Sequence, residues 1–161
     1  MSQWSSLTGA GGFTGLTPDA FPTNSRAVLD ANYITSKALP ASATTAYTTA
    51  MDLGDAVSGL PYATTETVNL VLLAPALASP KLADSGTVTY TIEDSANNSA
   101  FATLAGLDTV VQLGAANAGA AAVTKTWKLP PATRRYVRVN ITSATSPGDL
   151  STATAYLQLA F

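Results

Sequence analysis

Apolar and polar residues alternate with a period of two over several short stretches of this chain, the pattern of strands that bury one face and expose the other. In Gly86 to Glu93, Val88, Tyr90 and Ile92 alternate with Thr87, Thr89, Thr91 and Glu93. Arg135 to Ile141 repeats the pattern, with Val137, Val139 and Ile141 set to point inward and Tyr136, Arg138 and Asn140 outward. Thr152 to Phe161 alternates to its last residue, predicting a strand held inside a sheet. Thr67 to Leu73 is instead an apolar run of strand length with β-branched residues, closed by Pro75, which predicts a buried strand. Thr109 to Leu113 forms a further short strand, and Lys125 to Lys128 leads into Leu129-Pro130-Pro131, where two prolines without donors must end the ladder.

The remaining segments read as connections. Arg26 to Lys37 predicts a short helical or irregular segment, since Val28, Leu29, Tyr33 and Ile34 fall on a rough helical spacing before Leu39-Pro40 stops it. Ala41 to Ala50 is a Thr/Ala run that enters a strand end or turn at Met51-Asp52-Leu53-Gly54. Asp94 to Asn98 predicts a loop, Gly114 to Ala122 a second one, and Ser146-Pro147-Gly148-Asp149 a turn. Residues 1–24 are rich in Gly, Thr and Pro and predict an extended arm, leaving 25–161 as the folded domain. Seven or eight short strands separated by Pro, Gly and Asx turns indicate an all-β fold, a two-sheet antiparallel sandwich or jelly roll.

Length adds that one domain is expected, because 161 residues bury roughly 70% of their unfolded surface around a single core whereas two domains would each be marginal. Charged residues make up 11% of the chain against the roughly 25% usual for soluble domains, so its surface must be largely Ser, Thr and Ala. Such a surface is cheap to desolvate against a neighbouring subunit. The net charge of −2 is unevenly spread: residues 1–124 hold three bases against nine acids, and residues 125–161 five bases against one acid. So small a charge argues against nucleic acid as a partner. The first residues show no basic and apolar signal pattern and no window is apolar enough to span a bilayer, so no membrane association is expected.

Absent side chains narrow the chemistry. The chain contains no cysteine and no histidine, which leaves out disulfides, thiolate chemistry, the commonest metal ligand and the usual base for a serine nucleophile. Asp52 with Asp55 and Glu93 with Asp94 are carboxylate pairs at expected turns, too few for the six or so oxygens of a calcium site and better read as turn caps. Gly9-Ala10-Gly11-Gly12 lacks the preceding strand, following helix and Lys of a phosphate loop. No catalytic, cofactor or metal residues are assigned, and no enzymatic activity is expected.

What remains is contact chemistry. Trp4, Phe13 and Phe21 in the arm have no local core to enter and are expected to anchor on a partner or neighbouring subunit. Lys125, Lys128, Arg134, Arg135 and Arg138 form the strongest charge feature; with Tyr136 they make a candidate docking edge, since arginine forks and aromatic rings are favoured in interface cores. The competing function, a sugar- or receptor-binding β-sandwich such as a carbohydrate-binding or tail-fibre module, would need an aromatic stacking platform, for which Trp127 and Tyr136 are the candidates.

Leu29-Asp30-Ala31, Met51-Asp52-Leu53-Gly54, Gly86 to Ser95 and the run from Leu129-Pro130 through Arg135-Tyr136-Val137-Arg138-Val139 resemble, in that order and spacing, the cement family of Bordetella-type short-tailed phages. The resemblance covers residues 26–161. It implies a jelly roll on the outer face of an icosahedral head, clamping adjacent copies of the major capsid protein, as a homodimer or small homo-oligomer, with no catalytic residues.

Overall fold

The computed structural model describes residues 29–54, 68–144 and 148–160. The arm at 1–24 with Trp4, Phe13 and Phe21, the carboxylate of Asp55 and part of the turn at 146–149 lie outside the described residues. Ten strands are present among those described: β1 (Leu29–Ala38), β2 (Thr45–Tyr47), β3 (Met51–Asp52), β4 (Asn69–Ala74), β5 (Thr87–Ser95), β6 (Ala102–Thr103), β7 (Val110–Leu113), β8 (Val123–Lys128), β9 (Tyr136–Ser143) and β10 (Thr154–Ala160).

They form two antiparallel sheets, one ordered β1-β10-β4-β8 and the other β2-β9-β5-β6, with β3 also paired to β9 and β7 to β5. Counting β2 with β3 and β6 with β7 as split strands, every connection crosses from sheet to sheet except the one leaving β5. This is the jelly-roll winding, and the expected all-β sandwich holds.

Alternation positions the core between the sheets. Val88, Tyr90 and Ile92 of β5 meet Val137, Val139 and Ile141 of β9 on the inner face of one sheet, against Leu70, Leu72, Leu157 and Leu159 of the other. Trp127 of β8 joins them opposite Leu70.

Two expectations fail for the same reason. The segment read as helical is strand β1, because its partner β10 offers a free ladder and Ile34 pairs with Gln158 and Thr35 with Leu157. Asp94 and Ser95, expected in a loop, extend β5 opposite Val137 and Tyr136, so the Glu93/Asp94 pair lies within a strand instead of at a turn. In both cases a pairing partner distant in sequence overrides local preference.

Candidate functional site

The basic residues singled out from the sequence fall into two groups. Lys125 and Lys128 sit on β8, at the edge of the four-stranded sheet; Arg134 and Arg135 lie in the approach to β9, and Tyr136 and Arg138 on β9 itself, in the centre of the other sheet. On β8, Lys125 shares the side of Trp127, 6.0 Å from its ring centroid and 3.6 Å from Asp108, while Lys128 is exposed. The structure thus puts Tyr136 and Arg138 on one face of β9 with Arg135 stacked on Tyr136, sets Arg134 before the strand against Asp94, which has the inward phase of β5, and leaves both lysines elsewhere.

The three arginines are each engaged inside the chain. Arg134 forks onto the buried carboxylate of Asp94, with Nε at 2.9 Å and Nη2 at 2.5 Å from Oδ1, and its backbone N–H donates to Oδ2 at 2.9 Å. This pairing raises the guanidinium pKa further above its ordinary value. Arg135 donates to both oxygens of Asp52, at 2.8 and 3.0 Å, and stacks on Tyr136 with its carbon 5.2 Å from the ring centroid. The hydrogen bonds from Arg135 and from the Gly54 N–H hold the Asp52 carboxyl below the usual range. Arg138 donates to Glu93 at 2.8 Å, and Asn140 donates to the other Glu93 oxygen at 2.8 Å.

Arg138 is also clamped between two rings that sequence reasoning missed. Its guanidinium carbon lies 4.0 Å from the centroid of Tyr47 and 3.8 Å from that of Phe101. Tyr47 comes from β2 and Phe101 from the turn before β6, so no spacing along the chain foretells the stack. The pairs Tyr47–Asn140 and Glu93–Arg138 in the ladder bring it about.

The outer face of this sheet therefore carries charges whose partners are already in place. Around the stack lie Thr45 beside Thr142, then Thr89, then Val111, one row across the sheet, with Thr87 and Leu113 in the next. Val111 is 52% exposed and Leu113 56%. Their strand inverts the usual arrangement, since polar Gln112 points inward while its apolar neighbours face out, a phase that Val110-Val111-Gln112-Leu113 by itself leaves undecided. The result is a hydroxyl-rich face with an apolar rim, whose arginines are paired to carboxylates.

Trp127 is buried in one sheet and Tyr136 lies on the other, so the two do not share a stacking platform. No group of three or more metal-ligating His, Cys, Asp or Glu occurs among the described residues. A shallow trough at the edge where β1 faces β3, lined by residues 34–36 and 49–52, holds hydroxyls and Asp52, whose carboxylate Arg135 already occupies.

Compared with known proteins, the chain finds no curated match. Among solved structures it is similar to a chain of the naturally occurring empty particles of cowpea mosaic virus, the top component, at 11% identity and a TM-score of 0.40 over 80% of each chain. At that identity and score the likeness is remote. A model of the Bbp16 family matches residues 34–156, a span that takes in all ten strands in whole or in part, and the chain belongs to the Bbp16 family.

Proposed function

We propose that this chain is a structural virion protein, a capsid cement that sits on the outer surface of a phage head and clamps adjacent copies of the major capsid protein. Its mechanism is mass action: a protein that binds the expanded shell across subunit boundaries stabilises that shell by its differential affinity for it. The observation that carries the reading is the outer face of the β2-β9-β5-β6 sheet, where Arg138 is fixed between Tyr47 and Phe101 and paired to Glu93. Side chains held in their bound geometry beforehand lose little entropy on docking, and paired charges need no new partner from the capsid. Membership of the Bbp16 family supports the coarser part of the reading, a structural protein of a phage particle. Self-association as a homodimer or small homo-oligomer belongs to the proposal, and no catalytic step does.

Sedimentation with expanded shells lacking the protein tests this directly. The protein is expected to pellet with the shells and raise their resistance to heat; recovery only in the unbound fraction overturns the reading. Val111→Lys with Leu113→Lys, on the exposed rim, is expected to change folding stability by no more than about 0.5 kcal/mol each while weakening that co-sedimentation at least tenfold.

A further inference from the structure

The last strand of a sheet carries a row of backbone groups that no ladder satisfies, and the described strands end in four such edges. β1 holds Lys37 and β8 holds Lys125 and Lys128, charges that oppose the addition of a further strand, and a third edge is split between the short β2 and β3. The fourth is shared by β6, two residues long, and β7, whose Val110-Val111-Gln112-Leu113 contains neither a charge nor a proline.

The ladder decides where β7 aims its main chain. The Gly114 N–H donates to the Gly86 carbonyl at 2.9 Å, and bonded pairs alternate with non-bonded ones in an antiparallel ladder. Gln112 and Val110 therefore bond to Val88 and Tyr90, while Val111 and Leu113 turn their N–H and C=O groups off the edge. Thr87, opposite Leu113, uses its carbonyl on the other side, where the Ala144 N–H donates to it at 2.9 Å. No described residue bonds the outward main chain of Val111 or Leu113. The same two residues leave more than half of their apolar surface in water, and the Gln112 amide, bonded inside to Tyr90, Pro75 and Ala121, keeps the strand from turning over.

We propose that this edge is taken by β7 of a second copy of the chain, joined antiparallel about a two-fold axis through Gln112. The register is self-complementary. Val111 of each copy faces Leu113 of the other, so every outward N–H and C=O of these residues finds a partner, and the apolar side chains of both copies meet on one face. Asp108, largely exposed, comes to lie across from Ala116 of the other copy and not from its own counterpart, so like charges are not opposed. The axis runs along the sheet normal. Two six-stranded sheets then become one, with both Arg138 faces looking the same way, as a clamp on a single surface requires. A ladder of four residues is about 14 Å long, at the small end of specific interfaces, so dissociation is expected at about micromolar concentration. The inference rests on the self-association named under the proposed function and gives it a surface. Two linked copies hold one shell more tightly than one, which is how Val111 and Leu113 serve attachment as well.

Sedimentation velocity of the full-length protein between about 1 and 500 µM is expected to show monomer passing into dimer. Val111→Pro deletes one outward donor while sparing the ladder to β5, and Val111→Lys places a charge beside the axis; each is expected to raise the dissociation constant at least tenfold with an unchanged circular dichroism spectrum. Register is read separately. The chain has no cysteine, so an equimolar mixture of V111C and L113C, oxidised in air with a copper catalyst, is expected to yield the mixed disulfide, identified by intact mass. Facing positions lie within disulfide reach, whereas two copies of one position stand diagonally, about 7–8 Å apart. A chain that stays monomeric throughout, variants that dimerise like the parent, or a mixed disulfide no more abundant than the two symmetric ones would each overturn the proposal. No shell enters these measurements, so their failure leaves the cement reading to its own co-sedimentation test, and the reverse also holds.

Discussion

The phenol of Tyr90 donates to Oε1 of Gln112 at 2.7 Å inside the sandwich, and the amide of Gln112 donates onward to the carbonyls of Pro75 and Ala121 at 2.8 and 2.7 Å. Tyr90 and Gln112 belong to one sheet, while Pro75 and Ala121 flank β4 and β8 of the other. One buried amide therefore pins the sheets together at the end where the loops after β4 and β7 meet. Removing it strands a hydroxyl and two carbonyls in the interior, and each unsatisfied group costs about 1–3 kcal/mol. Gln112→Ala is expected to lower stability by at least about 3 kcal/mol in urea unfolding, more than Tyr90→Phe, which strands one acceptor. Equal stability of Q112A and the parent chain would refute this role.

Burial pushes the Tyr90 hydroxyl far above its ordinary value, so the folded state keeps that proton when an unfolded chain would release it. Below about pH 10 both states are protonated and the contribution is complete. As the pH climbs past 10 the unfolded chain ionises first, and stability falls with increasing pH. Urea midpoints measured between pH 8 and 11 should decline, and the decline should be shallower in Tyr90→Phe; parallel slopes would count against the assignment.

Asp94 is buried at the end of β5, whereas the guanidinium that pairs with it reaches solvent. Deleting each partner has different consequences. Arg134→Ala leaves a buried carboxylate without its cation, while Asp94→Ala frees an arginine that can turn to water. The urea midpoint should therefore fall further in R134A than in D94A, with Arg134→Lys in between because it keeps the charge and loses the fork. The opposite order would show that the carboxylate finds another partner.

Gly119 and Gly106 both adopt positive φ, at 79° and 86°, but only one is crowded. A Cβ on Gly119 would lie 1.9 Å from the Leu77 carbonyl oxygen, across the bridge that joins Leu77 to Ala120, whereas at Gly106 it meets open space. Gly106→Ala should cost only the backbone strain of about 1–2 kcal/mol, and Gly119→Ala at least about 2 kcal/mol beyond it, read as thermal midpoints. Similar losses at the two positions would mean that the loops after β4 and β7 do not need their close approach.

Much of the architecture could be read from the linear pattern. Period-two alternation identified β5, β9 and β10, the apolar run identified β4, and Pro130-Pro131 marked the end of β8. These signals are local: a strand with one face in a core shows it in its own composition. The same logic failed for Leu29 to Ala38, whose spacing suits a helix until β10 supplies a ladder, and for Asp94 and Ser95, turn formers that continue β5 because β9 and Arg134 satisfy them.

The candidate site was legible only as a list of residue types. That arginine and tyrosine cluster near β9 was plain from the chain itself. That Arg138 lies between Tyr47 and Phe101, that Arg134, Arg135 and Arg138 already hold carboxylates, and that Lys125 and Lys128 stand on the other sheet depended on which strands pair. The sequence alone determined a charge-poor β protein with one face of each strand buried, since solvent exposure is written into every residue's own polarity. Only the tertiary structure decided which charges are neutralised and which apolar residues are left outside, because strand register brings together side chains tens of residues apart and Coulomb attraction acts across those few ångströms and not along the chain.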